Sequence, residues 1–107
     1  MSRRPASSSV FLAIADRTRR RLLDLLATGE KPVGSLAKRF KVTLPAISQH
    51  LRVLRDAKLV RERRVGRQRL YRIDPAPLKA VSDWIGLCEH FWAAKLDALG
   101  KHLEKNP

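Results

Sequence analysis

Residues 33–73 read VGSLAKRFKVTLPAISQHLRVLRDAKLVRERRVGRQRLYRI, and this stretch decides the fold. Its apolar spacing and turn residues predict a helix over Val33–Phe40, a turn over residues 41–43, a second helix, and a hairpin with strands Val60–Val65 and Gln68–Ile73. A helix, a turn, a helix and a basic hairpin in this order are typical of a winged helix-turn-helix. The chain is therefore predicted to be mainly α-helical with a small β-hairpin.

The second helix carries its own start signal and an apolar face. Thr43 has a side-chain oxygen that can cap free backbone amides, and Pro45 has a fixed φ that suits a first helical turn. Ile47, Leu51 and Leu54 recur at spacings of four and three residues, so they share one face of the helix. We expect that face to point into the core and to leave the opposite face free for recognition.

The opposite face of this helix carries side chains that suit contact with DNA bases. Glutamine pairs with adenine, arginine pairs with guanine, serine pairs with either base, and a small alanine allows close approach. His50 lies beside the apolar face, so a packing role fits the sequence as well as a groove contact does. The predicted DNA-binding residues of this segment are Thr43, Ala46, Ser48, Gln49, His50 and Arg52.

The predicted hairpin is rich in arginine. Gly66 stands where a tight turn requires positive φ. The arginines within the hairpin are Arg61, Arg63, Arg64, Arg67, Arg69 and Arg72. A polyanion relieves their mutual repulsion, and the guanidinium fork suits phosphate and guanine. We predict that Arg64, Arg67 and Arg69 contact the DNA backbone or minor groove; the alternative is a solvated basic edge strand whose charge prevents aggregation.

The excess of positive charge lies in the part of the chain that contains these motifs. The 107 residues carry a formal net charge of +13. Residues 1–74 contain nineteen Lys and Arg against six Asp and Glu, whereas residues 75–107 contain four of each. This asymmetry predicts a nucleic-acid partner. Double-stranded DNA is favoured because residues 30–75 lack the paired stacking aromatics of single-stranded RNA modules, and a non-specific architectural binder is the alternative.

Two helices are predicted before the helix-turn-helix. The first is capped by Ser8 or Ser9 and directs Val10, Phe11 and Ile14 inward.

The second of these helices is capped by Asp16 and runs to Gly29. Its apolar face consists of Leu22, Leu23 and Leu26. Its first turns carry the arginine run Arg17, Arg19, Arg20 and Arg21. Because positive charge at a helix N-terminus opposes the helix dipole, the run points to a phosphate-facing role, with a solvated charged face as the equal alternative.

A long terminal helix is predicted from residues 75–77 toward residue 104. About 28 residues would extend about 42 Å, which is long for a domain of this size, so we expect the helix to pair with the same helix of a second copy. The alternative is that Leu78, Trp84 and Phe91 fold the helix back onto its own core, with a bend at Gly86. A near-heptad seam is formed by Val81, Ile85, Cys88, Trp92, Leu96, Leu99 and Leu103. The predicted dimer interface is Val10, Phe11, Ile14, Val81, Ile85, Cys88, Trp92, Leu96 and Leu99.

The chain is predicted to divide into a mobile basic arm over residues 1–8, a DNA-binding part over residues 9–74 and a dimerisation helix over residues 75–107, the last two forming one compact domain. No stretch has the roughly twenty apolar residues that a membrane span needs, and the N-terminus lacks the apolar segment of a secretion signal. A single cysteine excludes an intramolecular disulfide framework. We expect a cytoplasmic protein without a membrane partner.

Several of these stretches together resemble the ArsR/SmtB family of bacterial transcriptional repressors. They are DRTRRRLL at residues 16–23, LA at 36–37, ISQHL at 47–51, LR at 54–55, LV at 59–60 and GRQRLY at 66–71. The resemblance covers almost the whole chain. It implies a homodimeric winged-helix protein that binds an operator, an inverted DNA repeat, and leaves it when an effector binds. The family commonly has glycine where this chain has Lys58, so we expect a strained exit from the second helix.

The sequence does not identify the effector. Metal-responding members of the family carry a cysteine pair near the recognition helix or Asp, His and Glu pairs along the terminal helix, and this chain has neither pattern, so no metal or other cofactor is predicted. Cys88 offers a redox switch or a buried small side chain. Trp84, Phe91 and Trp92 offer an apolar ligand pocket or a dimer core.

Catalysis is not predicted either. The chain lacks a glycine-rich phosphate loop, a metal-binding histidine pair and a nucleophile with a base partner, so no catalytic residue is assigned. A protein-interaction module that acts through the C-terminal helix is a further alternative to a DNA-binding regulator.

Overall fold

The computed structural model describes the backbone of residues 6–105 and the side chains of residues 10–101. Helices and strands alternate in the order expected for a winged helix-turn-helix, which confirms the predicted fold class. The elements are α1 (Ala6–Ile14), α2 (Arg17–Leu26), β1 (Lys31–Pro32), α3 (Val33–Phe40), α4 (Leu44–Asp56), β2 (Val60–Val65), β3 (Gln68–Ile73) and α5 (Leu78–Lys105). We call β2, β3 and their connecting turn the wing.

Helix α1 begins earlier than predicted. It starts at Ala6, so Ser8 and Ser9 lie within the helix and do not cap it. The reason is that residues 6–14 contain no glycine or proline that would stop the helix. The predicted mobile arm over residues 1–8 therefore overlaps the helix, and its first five residues lie outside the described residues.

Helix α2 starts as predicted and ends early. The Asp16 side chain caps it by accepting a hydrogen bond from the backbone N–H of Arg19 at 2.9 Å. The helix ends at Leu26 rather than Gly29, because the N–H groups of Thr28 and Gly29 bond three residues back and tighten the last turn.

The core lies beneath α4, where α1, α2, α3 and the base of the wing meet. The predicted inward faces of α2 and α4 are buried, which confirms both apolar faces. Val10 is completely buried as well, so it belongs to the core of the protomer and offers no surface to a partner; its assignment to the dimer interface is corrected. Among the described residues, the fully buried larger side chains are Val10, Leu22, Leu26, Leu36, Ile47, Leu51, Leu54, Leu59 and Val60.

The wing has the predicted strand boundaries, and it gains a third strand that the sequence did not indicate. Strands β2 and β3 are antiparallel, with Val65 opposite Gln68 at the Gly66 turn, where φ is +60°. Strand β1 pairs with β3 on the other side, with Lys31 opposite Tyr71 and Pro32 opposite Leu70. The sheet order is β1-β3-β2. A two-residue strand that contains proline has no alternating pattern, so only tertiary pairing reveals it.

Helix α4 ends in a strained turn at Lys58, as the resemblance implied. Lys58 has φ of +65°, the left-handed region that favours glycine. The N–H of Lys58 bonds to the carbonyl of Arg55 at 2.9 Å, and the N–H of Leu59 bonds to the carbonyl of Leu54 at 3.0 Å. These two bonds form a Schellman motif, which redirects the chain from the helix into the wing.

We expect the substitution Lys58→Gly to stabilise the protein by about 0.5–1 kcal/mol. The left-handed conformation costs a non-glycine residue about 1–2 kcal/mol, and glycine removes this cost. The larger conformational entropy of glycine in the unfolded chain offsets part of that stabilisation. The urea midpoint at constant m-value measures the change. Lys38→Gly, within α3, is the matched control and should destabilise by about 0.5–1 kcal/mol; a lower midpoint for Lys58→Gly would contradict the strain.

Helix α5 is 28 residues long, and most of it extends away from the core. Leu78 and Val81 are half-buried against the core. Trp84 contacts Phe11 of α1 but is 55% exposed, and Phe91 is 61% exposed. The alternative interpretation, in which Leu78, Trp84 and Phe91 fold the helix back onto the core, therefore holds only for the first turns of α5. The helix also runs through Gly86 without interruption. Four residues of the predicted seam, Ile85, Trp92, Leu96 and Leu99, are exposed in the single chain. Val81 and Cys88 of the seam are half-buried, and the side chain of Leu103 lies outside the described residues.

Candidate nucleic-acid interface

The outer face of α4 is built by its cap and by its apolar face. The Thr43 hydroxyl accepts a hydrogen bond from the N–H of Ala46 at 3.3 Å and fixes the start of the helix. Because Ile47 is held in the core, Gln49 and Arg52 project from the opposite side, and both are exposed. Ala46 is exposed and Ser48 is half-buried beside them. The structure thus leaves this predicted surface available for contact.

His50 points away from the outer face of α4. Its Nδ1 atom lies 3.5 Å from Nη1 of Arg19 and 3.9 Å from Oδ2 of Asp16. The imidazole is half-buried at the corner between α1 and α2. This geometry supports the packing interpretation of His50, which ties the recognition helix to that corner. The capping hydrogen bond from the Arg19 backbone N–H lowers the pKa of Asp16 and keeps its carboxylate charged there.

Arginines from the run at the start of α2 make contacts within the protein itself. Arg19 donates from Nε to the carbonyl of Ala13 at 2.7 Å and from Nη2 to the carbonyl of Leu12 at 3.1 Å. Arg20 donates to the carbonyl of Ile14 at 2.8 Å. These carbonyls end α1, where positive charge is favourable.

The next residue of the run, Arg21, stacks over Phe40, with its guanidinium carbon 5.3 Å from the ring centroid. A phosphate-facing role is therefore not needed to explain Arg19, Arg20 or Arg21.

Two wing arginines form ion pairs with acids that lie outside the wing. Arg63 donates two hydrogen bonds to the carboxylate of Glu30, from Nε to Oε2 at 2.8 Å and from Nη2 to Oε1 at 2.7 Å. Arg61 donates to Asp74 at 2.8 Å. The side-chain hydrogen bond from Arg63 lowers the pKa of Glu30, and the bond from Arg61 lowers the pKa of Asp74, so both carboxylates stay charged. These pairs neutralise Arg61 and Arg63.

A third carboxylate joins the recognition helix to the wing. Oε2 of Glu62 accepts hydrogen bonds from Arg55 of α4 at 2.8 Å and from the Tyr71 hydroxyl at 3.1 Å. Burial and the hydrogen bond to Glu62 raise the pKa of Tyr71, so the hydroxyl remains a donor. The network fixes the position of the wing relative to α4. The sequence reasoning missed the roles of Glu30, Glu62 and Asp74; the only sequence signal was that each is an isolated acid within or beside the basic wing.

The tip of the wing keeps its cations free for an external anion. We call Arg64, Arg67 and Arg69 the tip arginines. Within the described side chains, none of them forms an ion pair. Together with Leu44 of α4 and Gly34 and Ser35 of α3, they line one concave surface. The start of the recognition helix and the tip arginines therefore face the same space.

The other predicted interface residues lie on α1 and α5. Phe11 is half-buried and meets Trp84 edge to face, with ring centroids 5.8 Å apart. Ile14 packs against the core and is half-buried. Cys88 is a half-buried free thiol on the seam.

Among the described residues there is no group of three or more His, Cys, Asp and Glu side chains that could hold a metal ion. No helix in that part of the chain is both long and apolar enough to cross a membrane.

The sequence of this chain is similar to a protein family and to several bacterial regulators. Residues 16–62 match the family described as bacterial regulatory protein, arsR family. The HTH-type transcriptional regulator Rv2034 of Mycobacterium tuberculosis is 40% identical over 96 residues, which cover 90% of this chain and 87% of the relative. The transcriptional repressor SdpR of Bacillus subtilis is 36% identical over 78 residues, which cover 73% of this chain and 87% of the relative.

A solved structure matches the fold as well. The homodimeric winged helix-turn-helix DNA-binding domain Mb0332 from Mycobacterium bovis aligns with a TM-score of 0.65 and 31% sequence identity, over 80% of this chain and 82% of that chain. The relatives are named as transcriptional regulators, in agreement with the resemblance noted from the motifs. The chain therefore belongs to the ArsR family of bacterial regulatory proteins.

Proposed function

We propose that this ArsR-family protein is a cytoplasmic homodimeric repressor that binds an operator and is released from it by an effector. Gln49 and Arg52 of α4 contact bases in the major groove, while the tip arginines contact the phosphate backbone or the minor groove. Pairing of α5 between two copies sets two α4 helices one DNA turn apart, about 34–36 Å. The operator is therefore an inverted repeat with half-sites at that spacing.

The observation that carries this proposal is the shared concave surface of the tip arginines and the start of α4. Acids neutralise Arg61 and Arg63, whereas the tip arginines form no ion pair with any described side chain. A non-specific architectural binder needs only distributed charge, and a protein-interaction module needs only α5. Neither alternative explains why the tip arginines and the first turn of α4 line one surface. The repressor name of the relative SdpR supports the sign of regulation.

Selection of genomic DNA fragments by the purified protein at about 150 mM salt tests the proposal. We expect recovery of an inverted repeat and a stoichiometry of two protomers for each repeat. A salt titration on the best fragment and on a scrambled fragment then separates sequence recognition from charge attraction. Recovery of fragments without a common sequence would favour the architectural binder, and weak binding to all DNA would favour the interaction module.

We expect Gln49→Ala to relax sequence preference more than it weakens total DNA binding. A bidentate glutamine–adenine pair contributes about 1–3 kcal/mol of discrimination, which is about 5- to 150-fold for each half-site. Because the dimer loses one pair in each half-site, affinity for the selected operator should fall by about the square of that factor, while affinity for scrambled DNA stays within about two-fold. Competition binding with operators that are altered at single base pairs measures the change. Ser82→Ala, on the exposed side of α5, is the control. Equal losses on operator and scrambled DNA would contradict base recognition by Gln49.

A further inference from the structure

The first turn of α4 exposes apolar side chains where a recognition helix meets DNA. Leu44 is 49% exposed and Val42, just before the helix, is 39% exposed. Pro45 and Ala46 are exposed beside them. We call Val42, Leu44, Pro45 and Ala46 the apolar first turn. Single exposed apolar side chains are ordinary, but these four stand within residues 42–46, at the N-terminus of a recognition helix, where such helices contact base edges.

Recognition by hydrogen bonding starts only one turn later along α4. Thr43 is the polar residue within the apolar first turn, and its hydroxyl oxygen accepts the capping bond from Ala46. The next polar side chains are Ser48 and Gln49. Ala46 and Gln49 are three residues apart and are therefore neighbours on the helix surface. The helix thus presents an apolar surface directly next to a side chain that can pair with adenine.

The position of Leu44 connects this surface to DNA rather than to a protein partner. Leu44 lines the concave surface that also contains the tip arginines. A strand of DNA whose phosphates meet these arginines brings its base edges to the first turn of α4. In the major groove, the thymine 5-methyl is the apolar group that distinguishes one base from the others.

We propose that the apolar first turn recognises thymine through its 5-methyl group, with Leu44 and Ala46 contacting methyls next to the adenine that Gln49 pairs with. The proposal rests on the function proposed above and deepens it, because it assigns a chemical class of base contact to residues that offer no hydrogen bond. It requires each half-site to contain thymine beside the Gln49 position.

Replacement of thymine by deoxyuridine, one position at a time in the selected operator, tests the proposal because only the methyl group is removed. We expect one or two positions in each half-site to lose about four-fold in affinity, the effect of one buried methylene-sized group. 5-Bromodeoxyuridine, whose bromine has nearly the volume of a methyl, should restore binding at the same positions. Thymines outside the half-sites are the internal control and should be insensitive.

A double-mutant cycle assigns the methyl contact to Leu44. The operator for this cycle carries deoxyuridine at the sensitive position of both half-sites, because the variant dimer lacks Leu44 in both protomers. Leu44→Ala should bind the thymine operator about as weakly as the wild type binds this uracil operator, and uracil should then cost the variant less than about two-fold. Leu44→Met should retain the sensitivity. Leu44 is half exposed and lies outside the buried core, so an unchanged melting temperature verifies the fold of both variants.

Two results overturn the proposal, and they differ from failure of the proposed function. If the protein selects a defined operator but uracil is tolerated at every position, the methyl contact is wrong and the operator function stands. If Leu44→Ala keeps the full sensitivity to uracil, the methyls are read by other residues. If no sequence is selected at all, the proposed function and this inference fail together.

Discussion

Substitution of Leu96 by glutamate is expected to convert the protein from a dimer to a monomer and to lower operator affinity by about 10²- to 10⁴-fold. Leu96 is 61% exposed on the seam of α5, next to Trp92 and Leu99. A charge buried between two apolar helices is too costly to keep, so the copies separate. Each protomer then binds one half-site and loses the gain that comes from linking two binding modules. Light scattering and operator titration measure the two effects.

The matched control for this prediction lies on the same helix. Ala94 is two residues from Trp92 and from Leu96, so it lies on the other side of α5, opposite the seam, and it is exposed. Ala94→Glu adds the same charge and should leave the dimer and the operator affinity unchanged. If Leu96→Glu stays dimeric, the seam is not the interface. If it becomes monomeric but keeps full operator affinity, dimerisation is not needed for DNA binding.

Removal of the three tip arginines by substitution with alanine is expected to produce the second large effect. Each phosphate contact contributes about −0.9 to the slope of log affinity against log salt. A dimer that loses three contacts from each wing should therefore show a slope smaller by about 5. Between 50 and 200 mM salt, the wild type should lose about 10³-fold more affinity than the variant. Titrations on operator and scrambled DNA should show the same change in slope.

The control for the tip arginines must remove the same charge elsewhere. Lys79, Lys95 and Lys101 lie on α5 and are exposed. Their replacement by alanine changes the net charge by the same amount but leaves the wing intact, so the slope should change by less than 1. An equal change for both triple variants would show that net charge, rather than the position of the tip arginines, sets the salt dependence.

Local signals in the sequence were sufficient for the recognition motif. The Thr43 cap, Pro45 in the first turn and the apolar spacing place α4, and the glycine at residue 66 places the turn of the wing; the structure has the same boundaries for both strands. These features depend on residues that are close in sequence. Capping, helical periodicity and tight turns are therefore predictable from the chain alone.

The parts that the sequence could not predict depend on contacts between distant residues. Arg63 and Glu30 are 33 residues apart, and nothing in the sequence indicates that Glu30 meets Arg63 rather than solvent. Nothing in the sequence distinguishes Arg19 from other basic residues, because its hydrogen bonds to the terminal carbonyls of α1 depend on how α1 and α2 pack together. The sequence places Val10 on an apolar face of α1. It does not show whether that residue packs into the core or against a partner, because both environments are apolar. The DNA contacts and the dimer contacts depend on a second molecule, so they stay predictions.

The short strand β1 has a consequence for how this protein tolerates changes in chain length. It pairs with the central strand of the sheet and is followed at once by α3, so Lys31 and Pro32 hold the connection between α2 and α3 in a fixed register with Tyr71 and Leu70. An inserted residue in that connection would shift this register or displace α3. At the Gly66 turn, by contrast, an insertion only lengthens an exposed loop. Natural relatives can therefore be expected to vary in length at the end of the wing and to keep a constant length before α3.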